Sequence, residues 1–161
     1  MEGTRIRGVS RFTGLRKNTI MALLATVGAN CSRVLETKMT GIRPTFVQAD
    51  ELWRYVHTKE KRRKRTDPLE WGDTYVWVAL DSQAKTIISY HVGKRDSANA
   101  YEFIEGLRKR TEGRFQITTD GLDTYVPAIE EHFGCDVDFS QLVKIYGKPK
   151  TEGPDWYIPL R

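Results

Sequence analysis

The segment Tyr75-Val76-Trp77-Val78-Ala79-Leu80 constrains this chain more than any other feature. Six apolar residues in a row, bounded by Asp73 and Asp81, read as a strand covered on both faces. Only Asp81-Ser82-Gln83-Ala84-Lys85 separates it from Thr86-Ile87-Ile88-Ser89-Tyr90-His91-Val92, and so short a link permits only antiparallel pairing. Upstream, Thr45 to Val56 is β-prone and partly alternating, with Val47, Ala49, Trp53 and Tyr55 on one face and Asp50 on the other. The three strands make a meander, and a chain that opens its sheet this way needs helices to cover it.

Those helices follow. Ser97 reads as an N-cap, and Ala100, Phe103, Ile104 and Leu107 recur at the spacing of one helical face. Arg108, Lys109 and Arg110 oppose the helix dipole in the last turn, and Gly113 follows them. Phe115 to Gly121 gives a strand entered after a crossover, hence parallel to an earlier one. Pro127 suits the first turn of a second helix running through His132, Gly134 stops it, and Val137 to Tyr146 supplies a fifth short strand. The fold class is therefore α/β with a mixed sheet. After Gly147 the pattern dissolves into a proline-rich tail.

The first 44 residues differ in character. They hold eight Lys or Arg against Glu2 and Glu36, although the whole chain is only +5. Apolar residues recur at Ile6, Val9 and Phe12, then at Ile20, Leu23, Leu24 and Val27, as expected of two short helices that bury those faces. Gly14 can take the left-handed conformation of a sharp corner, with Leu15 plugging the angle between the helices. This is the spacing of a helix-turn-helix, and equally of an ordinary helical hairpin with a glycine corner. In the first case Arg16, Lys17, Asn18 and Thr19 open the recognition helix and, with Arg11, face phosphates and base edges. Residues 29 to 45 read as helix tail and linker, ending at Pro44. A second basic cluster, Lys59-Glu60-Lys61-Arg62-Arg63-Lys64-Arg65, falls between the first two strands. Such a run is either a solvated loop or a contact for a polyanion; Lys61, Arg62, Arg63, Lys64 and Arg65 are the DNA-binding candidates.

Two aspartates carry the chemical expectation. Three antiparallel strands, helix, parallel strand, helix and short strand is the order of the ribonuclease H-like fold, which sets strands one and four side by side. Asp50 on the first and Asp120 at the carboxyl end of the fourth then become neighbours, with Gly121 keeping the approach open. Close carboxylates repel unless a divalent cation lies between them, and Mg²⁺ (or Mn²⁺) prefers such oxygen ligands. Metal-assisted phosphoryl chemistry follows. Glu51 falls on the opposite face by strand alternation and Asp123 fits a turn, so neither joins the expected site. His57, His91 and His132 lack ligand spacing, and Trp53, Trp71 and Trp77 read as core or rim aromatics.

Val47-Gln48-Ala49-Asp50-Glu51-Leu52-Trp53, Trp77-Val78-Ala79-Leu80-Asp81 and Thr118-Thr119-Asp120-Gly121 with Tyr125 resemble the DDE transposases of the first-described class of bacterial insertion sequences. The Gly14-centred segment resembles the helix-turn-helix that precedes the catalytic core in that family. The resemblance implies a helix-turn-helix segment and linker over 1–44, a ribonuclease H-like core over 45–147 and an irregular tail over 148–161. It implies Asp50 and Asp120 as the first two acids of the catalytic triad and as ligands of Mg²⁺ or Mn²⁺. Double-stranded DNA, as element ends and target, is the implied partner, and a homo-oligomer is compatible with it. The family's third acid, a glutamate on a helix beyond the fifth strand, has no counterpart here: Glu152 sits in loop-forming sequence beside Gly153-Pro154. Paired zinc-binding cysteines are missing too, Cys31 and Cys135 being far apart. The expectation is a member shortened at both ends: a transposase, or alternatively an inactive remnant that occupies element ends without cutting. With no apolar run approaching membrane length and no secretory leader, the expected place is the bacterial cytoplasm, at the nucleoid.

Overall fold

A computed structural model describes residues 5–143. The described residues divide into two compact units that meet between Thr40 and Gly41 in the sequence.

The first unit is a pair of helices, α1 (Ile6–Thr13) and α2 (Lys17–Lys38). Gly14 stands between them at φ +72°, donating its backbone N–H to the Ser10 carbonyl. Two of the expectations fail here. Leu15 is not a plug, being 46% exposed; the corner is held by polar bonds, Ser10 Oγ donating to the Leu15 carbonyl (2.7 Å) and the Leu15 N–H donating to Thr13 Oγ1 (3.3 Å). Nor are the helices both short with buried faces: α2 runs 22 residues, and of its apolar side chains Ile20 alone is buried while Leu23, Leu24 and Val27 are exposed. With no proline or turn-forming pair before Gly41, nothing stops α2 at residue 29, and Gly28 is tolerated inside it.

The second unit contains β1 (Phe46–Val56), β2 (Gly72–Asp81), β3 (Thr86–Gly93), α3 (Ser97–Arg108), β4 (Phe115–Asp120), α4 (Tyr125–His132) and β5 (Val137–Leu142). The five strands form one sheet in the order β3-β2-β1-β4-β5. β1 to β3 are antiparallel, whereas β4 lies parallel to β1 and β5 parallel to β4. This is the ribonuclease H-like order. Helices α3 and α4 pack one face of the sheet around Trp77, Phe103 and Tyr125, whose ring centroids lie 5.6–6.4 Å apart. Edge-to-face geometry of this kind contributes beyond the buried area itself.

β2 is not covered on both faces. Trp77 and Ala79 are fully buried, but the alternate Val76, Val78 and Leu80 are half-buried, because both helices lie on one side. An uninterrupted apolar run does not distinguish the two cases. The cap of α3 also shifts by one: Asp96, not Ser97, accepts from the Asn99 N–H (3.0 Å), and an aspartate serves this position at least as well. The four residues expected on the inner face of α3, Ala100, Phe103, Ile104 and Leu107, are all buried. No helix among the described residues is long and apolar enough to cross a membrane.

Candidate active site

The parallel register of β1 and β4 builds the site. Gln48 pairs with Thr118 and Ala49 with Thr119, so the next residues, Asp50 and Asp120, emerge on one face where β4 ends. Each carboxylate is anchored by main chain: Asp50 Oδ1 accepts from the Glu51 N–H (2.8 Å) and Asp120 Oδ1 from the Leu122 N–H (3.1 Å). Oxygens of Asp50, Glu51 and Asp120 lie within 4.8 Å of one another. Asp50 and Asp120 line an open cleft with Arg95, Gly121 and Thr124.

Glu51 corrects the expectation drawn from alternation. Its backbone does face the side opposite Asp50, in line with the buried Val47 and Ala49, but alternation assigns a direction and not a reach. The longer side chain returns its carboxylate to the cluster, where it is only 2% exposed. Arg95, in the loop before α3, pairs with both sides: Nε donates to Glu51 Oε2 (3.0 Å) and Nη2 to Asp120 Oδ2 (3.2 Å). Burial pushes the Glu51 carboxyl above the usual range, with Asp120 adding to the rise, while Tyr125 and Arg95 oppose it. Burial likewise raises the Tyr125 hydroxyl, and Glu51 adds to it. Burial alone would lower Arg95; its bond to Glu51, aided by Asp120, outweighs that and raises it. Glu51 Oε1 and the Tyr125 hydroxyl are both buried, and the hydroxyl faces the Glu51 carboxylate. The adjacent Asp-Glu pair in sequence was the signal for Glu51; nothing local marks Arg95, which arrives through the fold.

The basic candidates lie on other elements. Arg16, Lys17, Asn18 and Thr19 are exposed at the start of α2, and Arg11 is exposed in the last turn of α1. Lys61, Arg62, Lys64 and Arg65 are exposed in the β1–β2 connection, where Glu60–Arg62 forms a short 3₁₀ turn. Arg63 is tied down, donating from Nε to Glu60 Oε1 (2.8 Å). Asp50 and Val56 are six residues apart on β1, so the basic turn lies about 20 Å along the strand from the carboxylates. Cys31 and Cys135 are both free and exposed. Glu152, Trp156 and the tail 148–161 lie outside the described residues.

Among solved structures, the chain is similar to the Mos1 strand transfer complex (12% identity, TM-score 0.41), covering 83% of this chain and 52% of that one. It is similar to the piggyBac transposase synaptic complex with hairpin DNA (14%, TM-score 0.37; 70% and 25% covered) and to the Mos1 paired-end complex (17%, TM-score 0.37; 71% and 39%). The chain thus spans about half or less of the length of these proteins. No curated protein matches it. Residues 69–147, which include Arg95, Asp120 and Tyr125, match the family DDE_Tnp_IS240, described as a DDE domain. By that match residues 69–147 are similar to the DDE domain of insertion-sequence transposases.

Proposed function

We propose that this chain binds DNA and that Asp50 and Asp120 are its catalytic acids, for metal-dependent strand cleavage and transfer at the ends of an insertion element. The observation that carries the reading is the convergence of two strand-borne aspartates from adjacent parallel strands on one open cleft. The residues suit Mg²⁺ or Mn²⁺: the donors are carboxylate oxygens of Asp50 and Asp120, with the buried Glu51 carboxylate beside them. Asp50 and Asp120 would hold the cation, which when bound polarises a phosphoryl oxygen and steadies the departing one. The protein's own part is positioning. Main-chain N–H groups fix both aspartates, and Arg95 clamps Asp120 against Glu51. The exposed cations of the α1–α2 corner and of the β1–β2 turn supply phosphate contacts.

A second reading, a DNA-binding protein that does not cut, is favoured by the Arg95 ion pairs, which compensate Asp120 and Glu51 without any cation. The two separate in one experiment. Mn²⁺ binding is followed by electron paramagnetic resonance, and nicking of supercoiled plasmid is followed in Mg²⁺ or Mn²⁺. The catalytic reading expects binding and nicking, with Asp50→Asn and Asp120→Asn each lowering both by roughly 100-fold or more, since loss of mere supporting groups already costs 10- to 100-fold. DNA binding without metal binding or nicking in the unaltered chain would establish the second reading.

A further inference from the structure

β4 stops at Asp120, but β1 continues past Asp50 to Val56. From Leu52 onward β1 is paired with β2 alone, and β3 accompanies β2 only as far as Tyr75. The result is an arm, three strands wide as far as Trp53 and Tyr75 and two beyond, that stands past the carboxyl end of β4, the edge where the carboxylates lie. One face of this arm carries Trp53 and Tyr55, 41% and 50% exposed, with ring centroids 5.7 Å apart. Tyr75 is the cross-strand partner of Trp53 and Trp77 that of Glu51, so the same face leads from Tyr55 through Trp53 and Tyr75 to Glu51. Arg95, which holds Glu51 and Asp120, lies over the Tyr75 ring at 5.9 Å. At the far end Lys59 Nζ lies 5.3 Å from the Trp53 ring centre, and the exposed Lys61, Arg62, Lys64 and Arg65 follow. The turn itself is built: His57 and Trp71 stack at 3.7 Å, and Glu60 is engaged by Arg63 and Lys94.

Two exposed aromatic rings on one strand, Trp53 and Tyr55, with the half-buried Tyr75 beside them and a row of cations beyond, suit one class of ligand. Bases have π-faces at regular intervals and phosphates between them, and in an unpaired strand those faces are free; in a duplex they are covered. Same-face residues on a strand repeat at about 7 Å, close to the base separation of an extended single strand. We propose that Tyr55, Trp53 and Tyr75 form a stacking track for the unpaired bases of a DNA strand, with the basic turn holding its phosphates at one end and the carboxylate cleft lying at the other. This rests on the reading that the chain handles DNA, and specifies the form in which DNA reaches the cleft.

The test uses the full chain in EDTA, so that no cutting intervenes, with a fluorescently labelled 20-nucleotide mixed-sequence single strand and the matching duplex as probes. Anisotropy reads affinity and tryptophan emission reads stacking. Trp53→Leu, which keeps apolar bulk without a ring, should weaken single-strand binding about 10-fold or more while leaving duplex binding within about 2-fold. Trp53→Phe should retain single-strand affinity but lose most of the emission quenching that the single strand causes. Circular dichroism verifies that both variants are folded. Equal effects of Trp53→Leu on both probes, or none on either, would overturn the track. Failure of the unaltered chain to bind either probe would instead sink the DNA reading on which the track rests.

Discussion

At the scale of single residues, the charged groups around α3 do two different jobs. Arg95 faces the cleft, whereas its neighbour Asp96 faces the helix, accepting from both the backbone N–H and the side-chain Nδ2 of Asn99 (3.0 and 2.7 Å). The Asn99 backbone bond, then its side-chain bond, hold the Asp96 carboxyl below the usual carboxylate range, with smaller help from His91 and Lys94. A carboxylate whose folded value is depressed stabilises the fold at any pH above its unfolded value, about 3.9, and that stabilisation disappears as pH falls through the lower folded value. Asp96→Ala should therefore cost about 1 kcal/mol at pH 7, lowering Tm by roughly 4 °C. Thermal melts at pH 7 and near pH 2.5 check the sign: the gap between variant and parent should shrink in acid. A gap of the same size at both would assign the effect to helix propensity rather than to the ionised cap.

At the scale of elements, the Gly14 corner is the sharpest case of a backbone requirement written in sequence. Its φ of +72° belongs to the left-handed region, and a Cβ there would meet nothing within 4 Å, so replacement acts through backbone strain alone. Gly14→Ala should destabilise the α1–α2 unit by about 1 kcal/mol, read as lost helical circular dichroism on heating, while the melting of the sheet unit is unchanged. Coupled loss of both would show that the corner supports more than its own helices. The strands and their order were legible because apolar runs, short links and one crossover helix leave little topological freedom. What misled were features decided by neighbours rather than by the segment. The Tyr75–Leu80 run could not say that helices would lie on one side only, Leu15 could not say that Ser10 and Thr13 would hold the corner, and the weak periodicity after residue 28 did not show how far the helix tail runs, to Lys38. For the cleft, Asp50 and Asp120 were legible as acids on strands that the topology makes adjacent. Glu51 was hidden by reasoning about faces when side-chain length decides, and Arg95 by its place in a loop.

At the scale of the whole molecule, charge is segregated: exposed cations crowd the α1–α2 corner and the β1–β2 turn, while the chain as a whole is only +5. Net charge of that size is ordinary, so any polyanion binding must come from the clusters, and salt dependence counts how many cations participate. Each phosphate neutralised on a duplex releases condensed counterions and contributes about −0.9 to the slope of log K against log salt concentration. Replacing Lys61, Arg62, Lys64 and Arg65 together with alanine should therefore flatten the slope for a duplex by about 3 to 4 if all four touch phosphates, and an Arg16→Ala, Lys17→Ala pair by about 2. Arg63 is left in place because it holds Glu60 and with it the shape of the turn. The slope is the deciding quantity, not the affinity at one salt concentration, since misfolding removes affinity without a proportionate change of slope. A flattened slope with the four-residue variant and an unchanged one with the pair would place DNA on the arm alone and make α1–α2 an ordinary helical hairpin. The reverse would leave the 59–65 run as a solvated loop, and an unaltered slope in both would detach the basic clusters from DNA altogether.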